Sequence, residues 1–292
     1  MTPKQEAFFG AADNRLAADI FGHRGRPILL LHGGGQTRHA WRRTAIEIAR
    51  GDMVAYAVDQ RGHGESEWVA SGAYAFSDFA ADAHALARSL ADRHGAPPVA
   101  VGASLGGIAS LFAAGEAQRD GSSPIFSALV LVDITPRVDL DGVAKVQGFM
   151  RAHAHEGFAS VAAAADAVAA YLPHRPRPRS YEGLKKNLRL HPDGRWRWHW
   201  DPRFLDGRRP VNGNRLEFEE QLIAAARGLK IPALLVRGGS SELVHEAHAR
   251  EFLDLVPHAK YADVSGARHM VAGDRNDQFS AAILEFLNDL KG

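Results

Sequence analysis

The chain has 292 residues and a nearly balanced charge, with 35 Lys and Arg residues, 34 Asp and Glu residues and a formal net charge of +1. This balance excludes the basic field that attracts nucleic acids or membrane surfaces. No apolar run reaches the roughly eighteen residues of a membrane span, and no signal-peptide pattern follows Met1. With no cysteine, disulfides, thiolate metal sites and a cysteine nucleophile are excluded. We expect a soluble cytoplasmic protein with neither nucleic acid nor membrane as a partner.

The first elements predicted along the chain are strands. Residues 5–21 alternate apolar and polar side chains around a turn at 12–14, which predicts a β-hairpin. Residues 27–31 form a continuous apolar run typical of a buried strand, and three glycines follow at Gly33–Gly35. Consecutive glycines after a buried strand indicate a backbone that approaches another group closely.

Strand and helix patterns then alternate. Helical spacing covers 41–50 and 76–94, and residues 53–58 predict a buried strand between them. That strand runs into the segment Asp59–Ser66, which reads Asp-Gln-Arg-Gly-His-Gly-Glu-Ser. This alternation favours a mostly parallel sheet covered by helices on both faces.

A Gly-x-Ser-x-Gly motif at Gly102–Gly106 lies between a predicted strand at 98–101 and an apolar helix. This is the context of a nucleophile elbow, in which the serine occupies a tight strand-to-helix turn. The flanking glycines avoid collisions with the neighbouring strand or helix, and the helix N-terminus favours developing negative charge. We therefore predict that Ser104 is a nucleophile.

The same layout predicts an oxyanion hole. In acyl-transfer enzymes of this arrangement, one backbone N–H comes from the residue after the nucleophile and another from the glycine-rich loop after an earlier strand. We assign these positions to Leu105 and Gly34, and Gly35 is the alternative to Gly34.

Three motifs occur here in the order and spacing of the α/β-hydrolase family, which the first hundred residues resemble. They are His-Gly-Gly-Gly at 32–35, Asp-x-Arg-Gly-His-Gly-x-Ser at 59–66 and Gly-x-Ser-x-Gly at 102–106. The resemblance implies a doubly wound, mostly parallel sheet. It also implies that the second motif is mainly structural, so Asp59 and His63 are not predicted to be catalytic.

In that family a Gly-x-x-His loop near the end of the chain carries the general base. Here the loop reads Gly266-Ala267-Arg268-His269, after a predicted strand at 259–264. A neutral imidazole takes the serine proton and returns it to the leaving group. The resemblance therefore implies that His269 is the base.

The acid that orients the base has two candidates. Many members place it in a Gly-x-x-Asp motif after the penultimate strand, but that position is Ser241 here, which cannot supply a charge. Glu242 follows it. Other members place the acid after the sixth strand, where Asp133 ends the apolar run 126–132. A carboxylate ending a buried strand is costly unless it is used or paired, so we favour Asp133 over Glu242.

Between residues 136 and 227 the strand pattern stops, and helical patterns appear at about 141–156 and 158–171. An insertion between strands predicts a cap over the site. It includes an Arg- and Pro-rich stretch at 174–179. The segment 171–215 carries twelve Lys and Arg residues against four Asp and Glu residues. This excess either attracts an anionic substrate or forms a solvated face.

Trp196, Trp198 and Trp200 alternate with polar residues in this insertion. In an extended conformation their indoles share one face, and they either line an apolar acyl or aryl pocket or pack the cap on the core. Trp198 and Gly35 are the candidate pocket residues.

The sequence as a whole predicts an α/β-hydrolase fold with an inserted, mainly helical cap. We expect the core at 1–135 and 228–292 and the cap at 136–227. The expected function is hydrolysis of a carboxylic ester or lactone through an acyl-enzyme on Ser104, with His269 as general base. No metal or organic cofactor is implied; the expected partner is a small ester-like substrate, and a homodimer is left open.

Other activities of the same fold stay as alternatives. They are hydrolysis of a C–C, amide or thioester bond, perhydrolysis, and binding of a small molecule by a receptor with a vestigial triad. Dehalogenase and epoxide hydrolase chemistry on this fold uses an aspartate at the elbow, and the serine at position 104 argues against both.

Overall fold

The computed structural model describes residues 1–173, 180–211, 213, 215–267 and 276–290. Within these ranges, eight strands form one sheet and two short strands form a separate hairpin. The strands are β1 (Lys4–Phe9), β2 (Arg15–Phe21), β3 (Arg26–Leu31), β4 (Met53–Val58), β5 (Val99–Ala103), β6 (Ala128–Val132), β7 (Leu188–Leu190), β8 (Trp196–Trp198), β9 (Ala233–Gly238) and β10 (Lys260–Val264).

Helices connect these strands. The helices are α1 (Arg42–Arg50, preceded by a 3₁₀ turn at Arg38–Trp41), α2 (Phe76–His94), α3 (Leu105–Arg119), α4 (Leu140–Ala152), α5 (Val161–Tyr171), α6 (Glu182–Lys185), α7 (Arg203–Asp206), α8 (Arg215–Gly228), α9 (Glu246–Leu255) and α10 (Asn276–Asp289). In the described part of the chain, no helix combines the length and apolar character that a membrane crossing requires.

The large sheet has the strand order β1-β2-β4-β3-β5-β6-β9-β10. β2 runs antiparallel to both of its neighbours, and the remaining adjacent pairs are parallel. The chain moves from β3 to β4 on one side and then to β5 on the other, so the direction of winding reverses at β3. The carboxyl ends of β3 and β5 therefore border the crevice in which doubly wound sheets bind their ligands.

Side chains of the buried strands alternate between two apolar layers. In β3, Leu29 and Leu31 face one layer and Ile28 and Leu30 face the other, because successive side chains of a strand point to opposite faces. One layer includes α1 and α10, where the rings of Trp41 and Phe279 lie 5.7 Å apart. The other includes α2, α3 and α8. A continuous apolar strand is thus explained by burial on both faces.

The predicted hairpin, buried strands and core helices are confirmed, with boundaries within a few residues. The two helices predicted at the start of the insertion are shorter than expected, since α4 ends at Ala152 and α5 begins at Val161. The insertion also contains one short hairpin, which the expectation of a mainly helical cap did not include. β7 and β8 pair antiparallel there, and three-residue strands are too short to give a readable alternation.

The turn Gly102–Gly106 packs without room for side chains at its two glycines. A Cβ built on Gly102 would lie 2.3 Å from the carbonyl carbon of Gly106. A Cβ built on Gly106 would lie 2.3 Å from the carbonyl oxygen of Leu31. The first turn of α3 is therefore in direct backbone contact with β5 and β3, which fixes the position of the residue between the two glycines.

We predict that Gly106→Ala lowers the free energy of unfolding by about 2 kcal/mol or more, because the methyl group collides with backbone that cannot move independently. Gly148→Ala is the matched control, since a Cβ built on this residue of α4 meets nothing within 4 Å. There alanine should raise stability by about 0.5–1 kcal/mol through its better helix propensity. Urea unfolding of both variants measures the difference, and equal midpoints would contradict the packing argument.

Candidate active site

Ser104 occupies the turn between β5 and α3 in a strained backbone conformation. Its φ is +46°, in a region that residues with a side chain rarely adopt. Its N–H donates to the carbonyl of Val132 at 3.1 Å, which ties the turn to β6. The residue is half-buried and lies in the wall of a large cavity. The surrounding backbone maintains this strained conformation. The turn places the Ser104 hydroxyl group at the carboxyl edge of the sheet.

The cavity has a volume of about 1310 Å³ and lies between the sheet and the segment 136–227. The sheet side contributes the glycine loop after β3 and the elbow after β5. The opposite side comes largely from apolar and aromatic side chains, among them Phe149, Met150, Trp198, Trp200 and Phe204. A mostly apolar cavity with a few convergent polar groups is the usual form of a small-molecule site.

The glycine loop after β3 has three consecutive amides, and two of them are already bonded. The N–H of Gly33 donates to Gln36 Oε1 at 3.1 Å, and the N–H of Gly35 donates to His63 Nε2 at 3.1 Å. Among the described residues the N–H of Gly34 has no such acceptor. A Cβ built on Gly34 would lie 4.0 Å from the side chain of Leu105, so the loop faces the elbow. This geometry favours Gly34 over Gly35 as the oxyanion donor.

His63 is a fully buried imidazole whose tautomer is fixed by its neighbours. Its Nδ1 lies 2.9 Å from the carbonyl oxygen of Arg61, which only an N–H can satisfy. Its Nε2 therefore carries a lone pair and accepts from Gly35. Burial is the main cause that lowers the pKa of His63 to about 3, so the ring is neutral at neutral pH.

His32, the residue after β3, has the same pattern of hydrogen bonds at its two ring nitrogens. Its Nδ1 donates to the carbonyl of Gly33 at 2.8 Å, and its Nε2 accepts from the N–H of Gln60 at 3.1 Å. Burial lowers the pKa of His32 to about 4. The rings of His32 and His63 lie 5.2 Å apart. Two neutral imidazoles thus connect the glycine loop to the segment 59–66.

The first residue of that segment is held in an ion-pair network. Asp59 is fully buried, and its carboxylate accepts from the backbone N–H of Arg38 at 2.5 Å, from the Arg38 guanidinium and from the N–H of Glu65 at 2.9 Å. These contacts hold two loops together and involve no residue of the cavity wall, which is the structural role that the sequence resemblance implied.

Asp133 follows β6 with a φ of +50° and is 0 % exposed. Its Oδ1 accepts from the N–H of Gly238 at 2.9 Å, and its Oδ2 accepts from the hydroxyl of Ser241 at 2.6 Å. The Ser241 oxygen in turn accepts the N–H groups of Leu243 and Val244, which directs its proton toward Asp133. These bonds orient the carboxylate, which as a group offers about four acceptor positions.

Glu242 lies in a different environment. It is half-buried in the cavity wall, and its charge contributes to the raised pKa of Tyr171, although burial of that phenol is the larger cause. Its backbone carbonyl packs against Gly142, where a built Cβ would lie only 2.1 Å away. Asp133, by contrast, is buried at a strand end and oriented by its neighbours, as an acid that holds a base requires.

Two predicted features lie outside the described residues. They are His269, the predicted general base, and the Arg- and Pro-rich stretch 174–179. The charge excess predicted for the segment 171–215 partly depends on that stretch.

The family's sequence model, described as the alpha/beta hydrolase family, matches residues 28–282. The chain belongs to this family. It is 30% identical to the esterase Rv0045c of Mycobacterium tuberculosis over 254 residues, which cover 85% of this chain and 78% of that protein. It is 29% identical to the 2-(acetamidomethylene)succinate hydrolase of Mesorhizobium japonicum over 233 residues, which cover 75% of this chain and 73% of that protein.

The fold has close counterparts among solved structures. The crystal structure of E-2-(acetamidomethylene)succinate hydrolase superposes with a TM-score of 0.81 at 23% sequence identity, covering 98% of this chain and 100% of that one. This likeness establishes the common fold. The order and direction of the strands thus belong to a fold shared with that solved structure.

The sequence predicts a structural role for His63 but does not identify its partner. In the structure its imidazole accepts a hydrogen bond from the glycine loop. For the alternating tryptophans, the sequence leaves open whether they pack the cap or line a pocket. The structure shows both roles, since Trp198 and Trp200 line the cavity and also belong to one of the two apolar layers. No local sequence signal identifies the His63 contact, because residues 35 and 63 are brought together only by the fold.

We predict that His63→Leu lowers kcat for ester hydrolysis by about tenfold to a hundredfold with a smaller change in KM. The variant frees the Gly35 amide and loosens the loop that positions Gly34, and losing one oxyanion donor outright costs about a hundredfold or more. His63→Gln, which keeps an acceptor near the Nε2 position, should recover much of the rate. Equal losses in both variants, with unchanged thermal unfolding, would mean that the acceptor has no part in positioning the loop.

We predict that Asp133→Asn lowers kcat by about a thousandfold to ten thousandfold, because an amide cannot hold the base in its productive tautomer or stabilise the imidazolium. Glu242→Gln should lower kcat by less than tenfold. Steady-state kinetics on one ester, with circular dichroism to verify folding, compares the two. A large loss in the Glu242 variant alone would assign the acid to Glu242.

Proposed function

We propose that this chain is a serine hydrolase that cleaves a carboxylic ester or a lactone through an acyl-enzyme on Ser104. The observation that carries the proposal is the strained Ser104 turn in the cavity wall, opposite the unbonded amide of Gly34. The resemblance of the chain to a mycobacterial esterase supports an ester as the substrate class.

In the proposed first half-reaction, the Ser104 oxygen attacks the carbonyl carbon of the substrate. His269 takes the serine proton, and the N–H groups of Gly34 and Leu105 stabilise the oxyanion of the tetrahedral intermediate. Each such donor contributes on the order of 3 kcal/mol to the stability of the transition state. The intermediate then collapses, the C–O bond to the alcohol breaks, and His269 protonates the departing oxygen.

The second half-reaction uses the same groups on water. His269 removes a proton from a water molecule, which attacks the acyl carbon, and the same two amides stabilise the second oxyanion. Collapse of this intermediate breaks the bond to Ser104, whose oxygen recovers its proton from His269. Asp133 holds His269 in both steps. The positive end of α3, which begins at Leu105, adds a favourable potential for the negative charge at the elbow.

The walls of the cavity support a substrate with an apolar or aromatic part. Phe149, Met150 and Phe204 contribute apolar surface, and the cavity is large enough for a substrate well beyond a short acyl ester. A substrate bound there removes its own apolar surface from water, which favours binding by about 25 cal/mol per Å².

A carboxylate-bearing substrate is the second candidate. Two exposed lysines, Lys145 and Lys186, contribute to the lining of the cavity and could pair with anionic groups. One relative is named a 2-(acetamidomethylene)succinate hydrolase. Cleavage of an acylamino acid of this kind would use Ser104 and the backbone N–H groups of Gly34 and Leu105 in the same way. Only the leaving group would differ.

We predict steady-state hydrolysis of p-nitrophenyl esters by the wild-type protein and its loss by a factor of at least about a thousand in Ser104→Ala, because the acyl-enzyme cannot form. A panel from acetyl to decanoyl, measured by release of p-nitrophenol, locates the optimum chain length. The size of the cavity leads us to expect that optimum beyond acetyl.

Two other results would change the assignment. Turnover that persists in Ser104→Ala would exclude the serine mechanism. If the folded wild-type protein hydrolyses none of the esters but acts on acylamino dicarboxylates, the second candidate is favoured. One event per molecule, with a ligand-dependent rise in melting temperature, would indicate a receptor.

A further inference from the structure

The segment 199–201 forms a short backbone ladder with the segment 62–64. The N–H of Gly64 donates to the carbonyl of His199 at 2.7 Å, and the N–H of Asp201 donates to the carbonyl of Gly62 at 2.8 Å. His63 and Trp200 are directly opposite each other between these two bonds. Opposed residues at such a position in an antiparallel pair have their side chains on the same face and close together.

Both side chains of this pair are directed at the glycine loop. His63 accepts the N–H of Gly35, and a Cβ built on Gly35 would lie 3.7 Å from the indole nitrogen of Trp200. Trp200 is 2 % exposed and is part of the cavity wall. Its ring packs edge-on against that of Phe204 at 6.2 Å, which limits its rotation. The indole nitrogen is therefore held beside the loop that carries the proposed oxyanion donor.

The indole N–H of Trp200 has no acceptor among the residues that the structure describes. Its nitrogen remains accessible from the cavity, because it is not one of the fully buried side-chain atoms that lack a partner. Water or a bound molecule can therefore accept from it there, whereas phenylalanine would fill much of the same space without offering a donor. A tryptophan here is explained if a bound molecule supplies the acceptor.

We propose that Trp200 donates a hydrogen bond to a second acceptor oxygen of the substrate, close to the carbonyl that Ser104 attacks. The inference rests on the proposed hydrolase function and narrows its substrate class to esters that carry a neighbouring carbonyl oxygen. Trp200 is then a specificity-determining residue. The hydrogen bond forms in the bound substrate and leaves the bond-breaking steps unchanged.

The test compares two esters of nearly the same shape. Ethyl acetoacetate carries a ketone oxygen near the ester, and ethyl isovalerate has a methyl group in that place. For Trp200→Phe we expect kcat/KM on ethyl acetoacetate to fall about five- to tenfold, the usual effect of one neutral hydrogen bond. The value on ethyl isovalerate, which lacks the ketone oxygen, should fall by a clearly smaller factor, because only ring packing is lost there. Comparison within each ester removes the difference in intrinsic reactivity between the two.

Trp41→Phe is the matched control. Trp41 is a buried tryptophan whose indole nitrogen is also unpaired, but it packs in the opposite apolar layer and is not part of the cavity wall. This variant should leave the ratio of the two kcat/KM values unchanged. Equal losses on both esters in Trp200→Phe, or no loss on ethyl acetoacetate, would overturn the inference.

A binding measurement separates this inference from the proposed function. Calorimetric titration of both esters into Ser104→Ala, with and without Trp200→Phe, compares their affinities where no turnover takes place. We expect ethyl acetoacetate to lose affinity about five- to tenfold on removal of the indole N–H. Persistent turnover in Ser104→Ala would reject the serine mechanism, whereas equal affinities in the two Ser104→Ala proteins would reject the role of Trp200.

Discussion

The close contact of the first turn of α3 with β5 and β3 determines where the chemistry of this molecule can take place. Gly102 and Gly106 allow backbone to touch backbone, and Ser104 between them is held at a positive φ. The same contact directs the amide of Leu105 toward the cavity edge, since the first N–H groups of a helix have no partner within it. One packing interaction thus positions both the proposed nucleophile and one of the two proposed oxyanion donors.

In the glycine loop opposite Ser104, hydrogen bonds occupy the N–H groups on both sides of Gly34. Gln36 accepts the N–H of Gly33 and His63 accepts that of Gly35, which leaves the N–H of Gly34 as the proposed oxyanion donor of this loop. The second of these bonds requires a neutral imidazole, because a protonated ring would oppose one N–H with another. Burial lowers the pKa of His63 to about 3, and the acceptor is therefore kept throughout the neutral range.

The elements that could be predicted from sequence are those with a long or local signal. Buried strands, core helices and the Gly-x-Ser-x-Gly turn are continuous in the chain. The contacts that refine the site join distant residues, such as the hydroxyl of Ser241 with Asp133 across 108 positions, and no local pattern encodes which atoms meet. The strands β7 and β8 could not be predicted because each has only three residues, which is too few to establish an alternating pattern.

The ladder between segments 62–64 and 199–201 also restricts how this chain can vary in length. Side chains of an extended segment alternate faces, so one residue inserted between Trp198 and Trp200 would turn the second indole away from the glycine loop and bring a neighbour into its place. A residue added in the turn between β7 and β8 would keep that register. We therefore expect insertions and deletions to be tolerated in the turn between β7 and β8 but not between Trp198 and Trp200.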